Sequence, residues 1–325
     1  MNKIVVVGCG NVGMAYCYSI LNQILDIDTL VLIDIDKEKL AGKILDLNHS
    51  LFNLNSSTKI VAGTYSDCSD ADIVCITAGP SQRADKTSRM EDLYKANEIF
   101  KNIIPQIKNS GFNGIYLIAS NPLDVMTYVT WKYADCAPSK IIGSGTLLDT
   151  ARLRYVVSRD YDKPINEVTG YVLGEHGDSQ FVAWSTVNID KLSEFNMNAI
   201  SNEVKKAGFE VGKLQGFTCY GIGSALSRIT RAILFDENAV LPVSTYNDEY
   251  GIFISTPSII GKNGVIKNNI MDLENSELEN FKNSVKSIKI AIGNLYADAH
   301  AGGAEQQGLA ALARHGGGAG RDGHV

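Results

Sequence analysis

Three side chains in the second half of the chain have the types and spacing to move a proton beside an anion. His176 lies in Gly174-Glu175-His176-Gly177-Asp178-Ser179, between the apolar runs Val172-Leu173 and Phe181-Val182-Ala183-Trp184. A histidine in a polar turn at the mouth of a sheet can give and take a proton near neutral pH. Taken alone, such a histidine is more often structural, so its partners decide. Asp149 stands twenty-seven residues earlier at the start of a helical stretch. A carboxylate there can fix an imidazole's tautomer and stabilise its charged form. Arg152 follows one helical turn later, on the same face. Its planar guanidinium suits bidentate capture of a carboxylate. An Asp/Arg pair at this spacing is also a common surface ion pair, so the two meanings stand about even until the rest of the chain is weighed.

The other half supplies a second chemistry. Ile4 to Val7 runs into Gly8-Cys9-Gly10-Asn11-Val12-Gly13 and then a helical stretch, Met14 to Leu25. In such a loop Gly8 makes the tight turn, Gly10 lets backbone approach a pyrophosphate, and Gly13 lets helix and strand pack closely. The helix N-terminus offers unpaired N–H groups to phosphates. A second apolar run, Leu30 to Ile33, ends at Asp34, twenty-one residues after Gly13. An acid there accepts hydrogen bonds from ribose hydroxyls and repels a 2′-phosphate, which favours NAD over NADP. The glycines alone are a weak signal; strand, glycines, helix, strand and acid together are a strong one.

The elements that must position these groups alternate. Helix Lys37 to Asn48, strands Lys59 to Ala62 and Asp72 to Thr77, a polar loop Pro80 to Ser88, helix Arg89 to Asn109, strand Ile115 to Ile118, a helix from Leu123 and strand Lys140 to Ile142 follow in turn. This rhythm predicts an α/β fold, a doubly wound parallel sheet with ligands at the carboxyl ends of its strands. Later the texture changes. Helix Leu148 to Ser158, strands near Val168 to Leu173 and Phe181 to Ile189, helices Ala199 to Gln215 and Ile222 to Phe235, and a hairpin at Asn263-Gly264 describe an α+β second domain. Ser276 and Glu279 form a capping box for a last helix whose stripe of Leu278, Phe281, Val285, Ile288, Ile292 and Leu295 reads as core. The expected division is a dinucleotide domain over 1–143, a catalytic domain over 144–299, and a Gly/Ala-rich tail over 300–325 that is non-native or poorly ordered, with room for a short helix around Gln306 to Arg314.

With 45% hydrophobic residues the chain can bury a large core. A net charge of −6 leaves no electrostatic footprint for nucleic acid or an anionic membrane. No apolar run approaches a membrane span. Six cysteines without C-x-x-C pairing, mostly among apolar neighbours, read as reduced thiols of a cytoplasmic protein. No Cys/His cluster has the spacing of a metal site.

These motifs occur in the order found in the L-lactate/malate dehydrogenase family, which the chain resembles from about Lys3 to Leu295. The resemblance is carried by Gly8 to Gly13, Ser120-Asn121-Pro122, Gly145-Thr146-Leu147-Leu148-Asp149-Thr150-Ala151-Arg152 and Gly174 to Ser179. Gly216-Phe217-Thr218-Cys219-Tyr220-Gly221-Ile222-Gly223 is similar to the lactate branch, and the nearest likeness is to L-2-hydroxyisocaproate dehydrogenases. The resemblance implies a lactate-dehydrogenase-like catalytic domain, His176 as proton donor to a 2-oxo acid, Asp149 as its partner, and Arg152 as the carboxylate clamp. It also implies that Arg89 polarises the carbonyl, that Asn121 bonds the carbonyl or hydroxyl oxygen, and that Thr218 lines the pocket. Thr77, Ala78, Gly79, Asn97 and Asn121 join the cofactor site, and the assembly is a homodimer or homotetramer, with the Lys37 to His49 helix as a contact.

Three departures bear on substrate and regulation. The loop Pro80 to Arg89 lacks a Pro-Gly and is one position longer, so Gln82 or, after one slip, Arg83 occupies the discriminating position; Arg83 there would suit a dicarboxylate. Gly208, ten residues before Thr218, replaces a usual alanine and leaves room for a longer substrate side chain, an effect worth about 1–3 kcal/mol per methylene. Thr169 replaces the histidine that, with Arg154, would complete a sugar-bisphosphate site, so no such activation is expected. The leading expectation is an NAD-dependent L-2-hydroxy acid dehydrogenase favouring medium or branched aliphatic 2-oxo acids. L-lactate dehydrogenase is the alternative, malate dehydrogenase the third, and an inactive dinucleotide-binding protein the reading from another class.

Overall fold

Short apolar runs without polar interruption become the central strands, because a parallel sheet is covered on both faces. The computed structural model describes residues 2–23, 27–80, 89–189, 192–268 and 271–315, apart from the side chains of residue 89 and residues 298–315. The first half runs β1 (Lys3–Val7), α1 (Asn11–Gln23), β2 (Thr29–Ile33), α2 (Lys37–Leu54), β3 (Lys59–Ala62), β4 (Ile73–Ile76), α3 (Arg89–Asn109), β5 (Ile115–Ile118), α4 (Leu123–Ala134) and β6 (Ile141–Gly143). These six strands pair in parallel in the order β3-β2-β1-β4-β5-β6. The chain leaves β1 toward β2 on one side and returns to β4 on the other. That reversal opens a crevice at the carboxyl ends of β1 and β4. Two apolar layers flank the sheet, one around Ile4, Tyr16, Ile20 and Leu32 and one around Val5, Ile76, Phe100 and Ile118. Each fully buried Leu or Ile there contributes about 1.5–3 kcal/mol. All six cysteines are free, and five are buried.

The second half runs α5 (Leu147–Asp160), β7 (Tyr171–Leu173), β8 (Phe181–Ala183), α6 (Glu194–Gln215), α7 (Tyr220–Leu234), β9 (Ala239–Asn247), β10 (Ile252–Gly261), β11 (Gly264–Lys267) and α8 (Asn275–His315). β7 and β8 form a separate antiparallel pair. The strands β9, β10 and β11, by contrast, extend the parallel sheet to nine strands, joining it antiparallel to β6 through Gly143 opposite Ser244. Only the β10–β11 hairpin among these was expected.

Several bounds differ from the sequence expectations. The last helix begins at Asn275, and Glu277, not Glu279, reaches back to the Glu274 N–H at 3.1 Å. Of its apolar stripe, Phe281, Val285, Ile288 and Leu295 are buried and Leu278 is exposed. Its helical backbone continues into the Gly/Ala-rich stretch as far as His315. α2 and α6 are each longer than expected, whereas β8 stops at Ala183, where a 3-10 turn takes over. Among the described residues no helix is long and apolar enough to cross a membrane.

Candidate active site

The glycine loop sits where β1 ends, at the crevice. Gly8 has φ +92°, a backbone region L side chains rarely adopt, and a Cβ on it would stand 2.5 Å from the Ala78 backbone. A Cβ on Gly13 would collide with the Gly8 carbonyl and come within 2.8 Å of Thr77 Oγ1. A Cβ on Gly10 would meet nothing within 4 Å, which is the open approach a pyrophosphate needs beside Asn11, Val12 and the α1 N-terminus. Asp34, at the end of β2, accepts the Cys9 N–H at 2.7 Å and the Asp36 N–H at 3.0 Å. Its carboxylate is thereby fixed at the rim of the same loop with lone pairs to spare for ribose hydroxyls. The residues present therefore fit a dinucleotide.

The end of β4 closes the other wall. The Thr77 N–H donates to Val7 O at 2.9 Å, and its hydroxyl donates to Gly8 O. Ala78 accepts from the Ser120 hydroxyl at 2.5 Å, and Gly79 follows. Asn97, on α3, accepts a hydrogen bond from the Tyr133 hydroxyl at 3.2 Å, so its side chain faces α4. Asn121 is exposed after β5, and its peptide bond to Pro122 is cis.

At the centre of the second wall, His176 Nδ1 lies 2.6 Å from Asp149 Oδ2, while Arg152 Nη1 donates to Asp149 Oδ1 at 2.8 Å. One carboxylate thus serves both cations. The Asp149 side chain is 2% exposed, that of Arg152 18% and that of His176 27%, so the anion is hidden while both cations keep some access to solvent. Burial disfavours charge on Asp149, but His176 and then Arg152 overcome it and hold its carboxyl below the ordinary carboxylate range. Burial likewise lowers the His176 pKa, yet Asp149 and then Asp124 more than offset it and raise it above the usual imidazole value. With Nδ1 committed to Asp149, Nε2 is the atom free to exchange a proton.

Local sequence explains this alignment. Thr146 Oγ1 donates to Val172 O at 2.5 Å, and the Val172 N–H donates to Thr150 Oγ1 at 3.0 Å. The threonines on either side of Asp149 therefore stitch the start of α5 onto β7, the strand that leads into the histidine loop. Gly208, on α6, faces Arg152, where a Cβ would stand 3.3 Å from Nη2. Thr218, between α6 and α7, is half-buried. Thr169 donates its hydroxyl to Thr186 O at 2.9 Å, and Arg154 Nε reaches Gly170 O at 3.4 Å. Gln82 and Arg83 lie outside the described residues, and of Arg89 only its place as the first residue of α3 is described.

Sequence reasoning missed the supports of the loop. The His176 N–H donates to Asp124 Oδ2 at 2.7 Å, and Ser244 Oγ donates to Asp124 Oδ1 at 2.6 Å. Glu175 accepts from the hydroxyls of Ser179 and Ser287, and Ser284 donates to Ser179 O at 2.7 Å. The local sequence around Asp124 carries no signal of this role, since both of its partners come from distant elements.

Comparison with known proteins finds relatives across residues 2–298. Residues 2–143 match the model of the lactate/malate dehydrogenase NAD-binding domain, and residues 146–298 match that of the lactate/malate dehydrogenase alpha/beta C-terminal domain. An L-lactate dehydrogenase of Halalkalibacterium halodurans is 42% identical over 298 residues, covering 89% of this chain and 96% of that one. One from Borrelia hermsii is 40% identical over 311 residues, covering 90% and 98%. The crystal structure of MGS-M5, a lactate dehydrogenase from a Medee basin deep-sea metagenome library, is similar with a TM-score of 0.86 and 41% identity, covering 91% of this chain and 99% of that one.

Proposed function

Because the chain belongs to the lactate/malate dehydrogenase family, we propose that it interconverts pyruvate and L-lactate. It is an NAD-dependent oxidoreductase acting on the CH–OH group of 2-hydroxy acids. The preference for branched acids drawn from the sequence gives way to lactate, since the relatives cited above carry the name L-lactate dehydrogenase.

The observation that carries the reading is the Asp149 carboxylate shared by His176 at 2.6 Å and Arg152 at 2.8 Å. Gly8, Gly10, Asn11, Val12, Gly13 and Asp34 would hold the NAD, with Thr77, Ala78, Gly79, Asn97 and Asn121 beside them. When bound, the cofactor supplies hydride to, or takes it from, C2 of the acid. Arg152 grips the substrate carboxylate, and His176 Nε2 gives its proton to the carbonyl oxygen in reduction and takes it back in oxidation. Asp149 keeps the imidazole oriented and stabilises its cation, as charge builds on that oxygen. Arg89 and Asn121 attend the same oxygen, with Thr218 against the substrate side chain. The protein works as a cytoplasmic homodimer or homotetramer.

Gly208 favours a second reading, a broad enzyme for longer 2-oxo acids, because it faces the Arg152 guanidinium with only hydrogen where an alanine methyl would press on Nη2 at 3.3 Å. NADH oxidation with pyruvate, oxaloacetate and 4-methyl-2-oxopentanoate separates the readings. The highest kcat/KM is expected for pyruvate. A tenfold advantage for either other acid overturns the lactate reading, and no turnover with any of them overturns the whole proposal.

A further inference from the structure

We propose that Asp124 is a positioning residue for His176, fixing its backbone and adding a second negative charge that holds the imidazole in its cationic form. The proposal rests on the reading of His176 as the proton donor. Asp124 is the second residue of α4, 2% exposed, and its two carboxylate oxygens are divided between two elements. One takes the His176 N–H at 2.7 Å and the other the Ser244 hydroxyl of β9 at 2.6 Å. The carboxylate therefore ties the histidine loop to the sheet, independently of the Asp149 contact on the ring.

Neither hydrogen bond requires a charge. An asparagine could accept the His176 N–H through its oxygen and donate to the Ser244 oxygen through its nitrogen. It would do so without the desolvation cost of a buried anion. Burial pushes the Asp124 pKa up to about 6, against the Ser244 and His176 hydrogen bonds and the His176 charge, which lower it. A carboxyl raised in the folded state contributes stability below its unfolded value, and that contribution is lost as pH rises through about 6. At neutral pH the ionised form is thus a burden on the fold. What an aspartate offers here and an asparagine does not is the field at His176. The charged groups acting on that ring are Asp149 and Arg152 from α5 and Asp124 from α4, while Glu175 of the same loop acts on Asp124.

The experiment is Asp124→Asn, with the His176 ring proton titrated by NMR and assigned by its loss in His176→Gln. The expected result is a His176 midpoint lowered by about one pH unit. The alkaline limb of kcat/KM for 2-oxo acid reduction should move down with it, and the thermal midpoint at pH 7.5 should be no lower than that of the wild type. A folded variant with an unmoved His176 midpoint overturns the proposal, as does a pH-independent fall in kcat alone. Should Asp124→Asn fail to fold, Ser244→Ala removes the hydroxyl that favours the ionised Asp124. A smaller downward shift then supports the proposal, and an unmoved midpoint overturns it. The NMR midpoint needs no turnover, so a shift in a chain that reduces no 2-oxo acid would sink the functional reading and leave this one standing.

Discussion

Asp149 balances two cations from a position almost sealed from water, and that balance sets the protonation of His176. With His176 as the proposed proton donor and its pKa raised, reduction of a 2-oxo acid should lose efficiency as pH rises through that midpoint. Oxidation, which needs the neutral ring, should gain over the same interval. Replacing His176 with glutamine should lower kcat for reduction by about 10²–10⁴-fold and remove the alkaline limb, while NADH affinity, read by fluorescence, is retained. A limb that survives in His176→Gln would assign the proton to another group. That His176, Asp149 and Arg152 could meet was legible in the sequence, because their types suit proton transfer beside an anion and Asp149 and Arg152 lie one helical turn apart, and the structure brings the three together. Asp124 was not legible, because an acid in the first turn of a helix reads as an ordinary dipole partner. Its real partners, His176 and Ser244, lie 52 and 120 residues away.

At the scale of elements, α1 is held against the second half by α7. Tyr16 and Thr230 share a buried hydrogen bond of 2.6 Å, and a Cβ on Gly223 would stand 2.8 Å from the Ala15 carbonyl carbon. Gly223→Ala should therefore push the two helices apart and destabilise the protein by about 1–3 kcal/mol. The expected readout is a lowered thermal midpoint together with weaker NADH binding, because α1 carries the glycine loop. A midpoint and an affinity both equal to the wild type would show that the contact has slack. The sequence revealed the alternating strands and helices of the first half, where apolar runs and turn residues agree. It concealed most of β9 and β10, each of which contains a proline, and Pro242 and Pro257 face each other in the register. Proline lacks the N–H a ladder uses and argues against a central strand, so only tertiary pairing reveals these two.

For the whole molecule, the exposed apolar residues gather on particular helices. Leu45 and Phe52 on α2 are 57% and 91% exposed, and Leu214 and Tyr220 near the α6–α7 junction are 85% and 75% exposed. Large apolar side chains left in water on neighbouring turns are the kind of surface that association covers, and we propose that α2 supplies part of one. Sedimentation should find a dimer or tetramer, and Phe52→Asp should shift it toward the monomer; a monomeric wild type would rule out that role for α2.

The join between the two halves of the sheet is narrow. A Cβ on Gly143 would stand 2.9 Å from Ser244 Cβ, and one on Gly145 would stand 2.7 Å from Ser255 Oγ. Glycines on both sides of Ser144 let β6 draw close enough for β9 to cover its open edge. Residues 2–143 alone would leave that edge bare, a row of unpaired backbone groups ready to recruit a strand from another chain. The dinucleotide half is thus sheltered from aggregation by the half that carries the histidine, and a chain emerging from the ribosome remains exposed to that hazard until β9 has been synthesised.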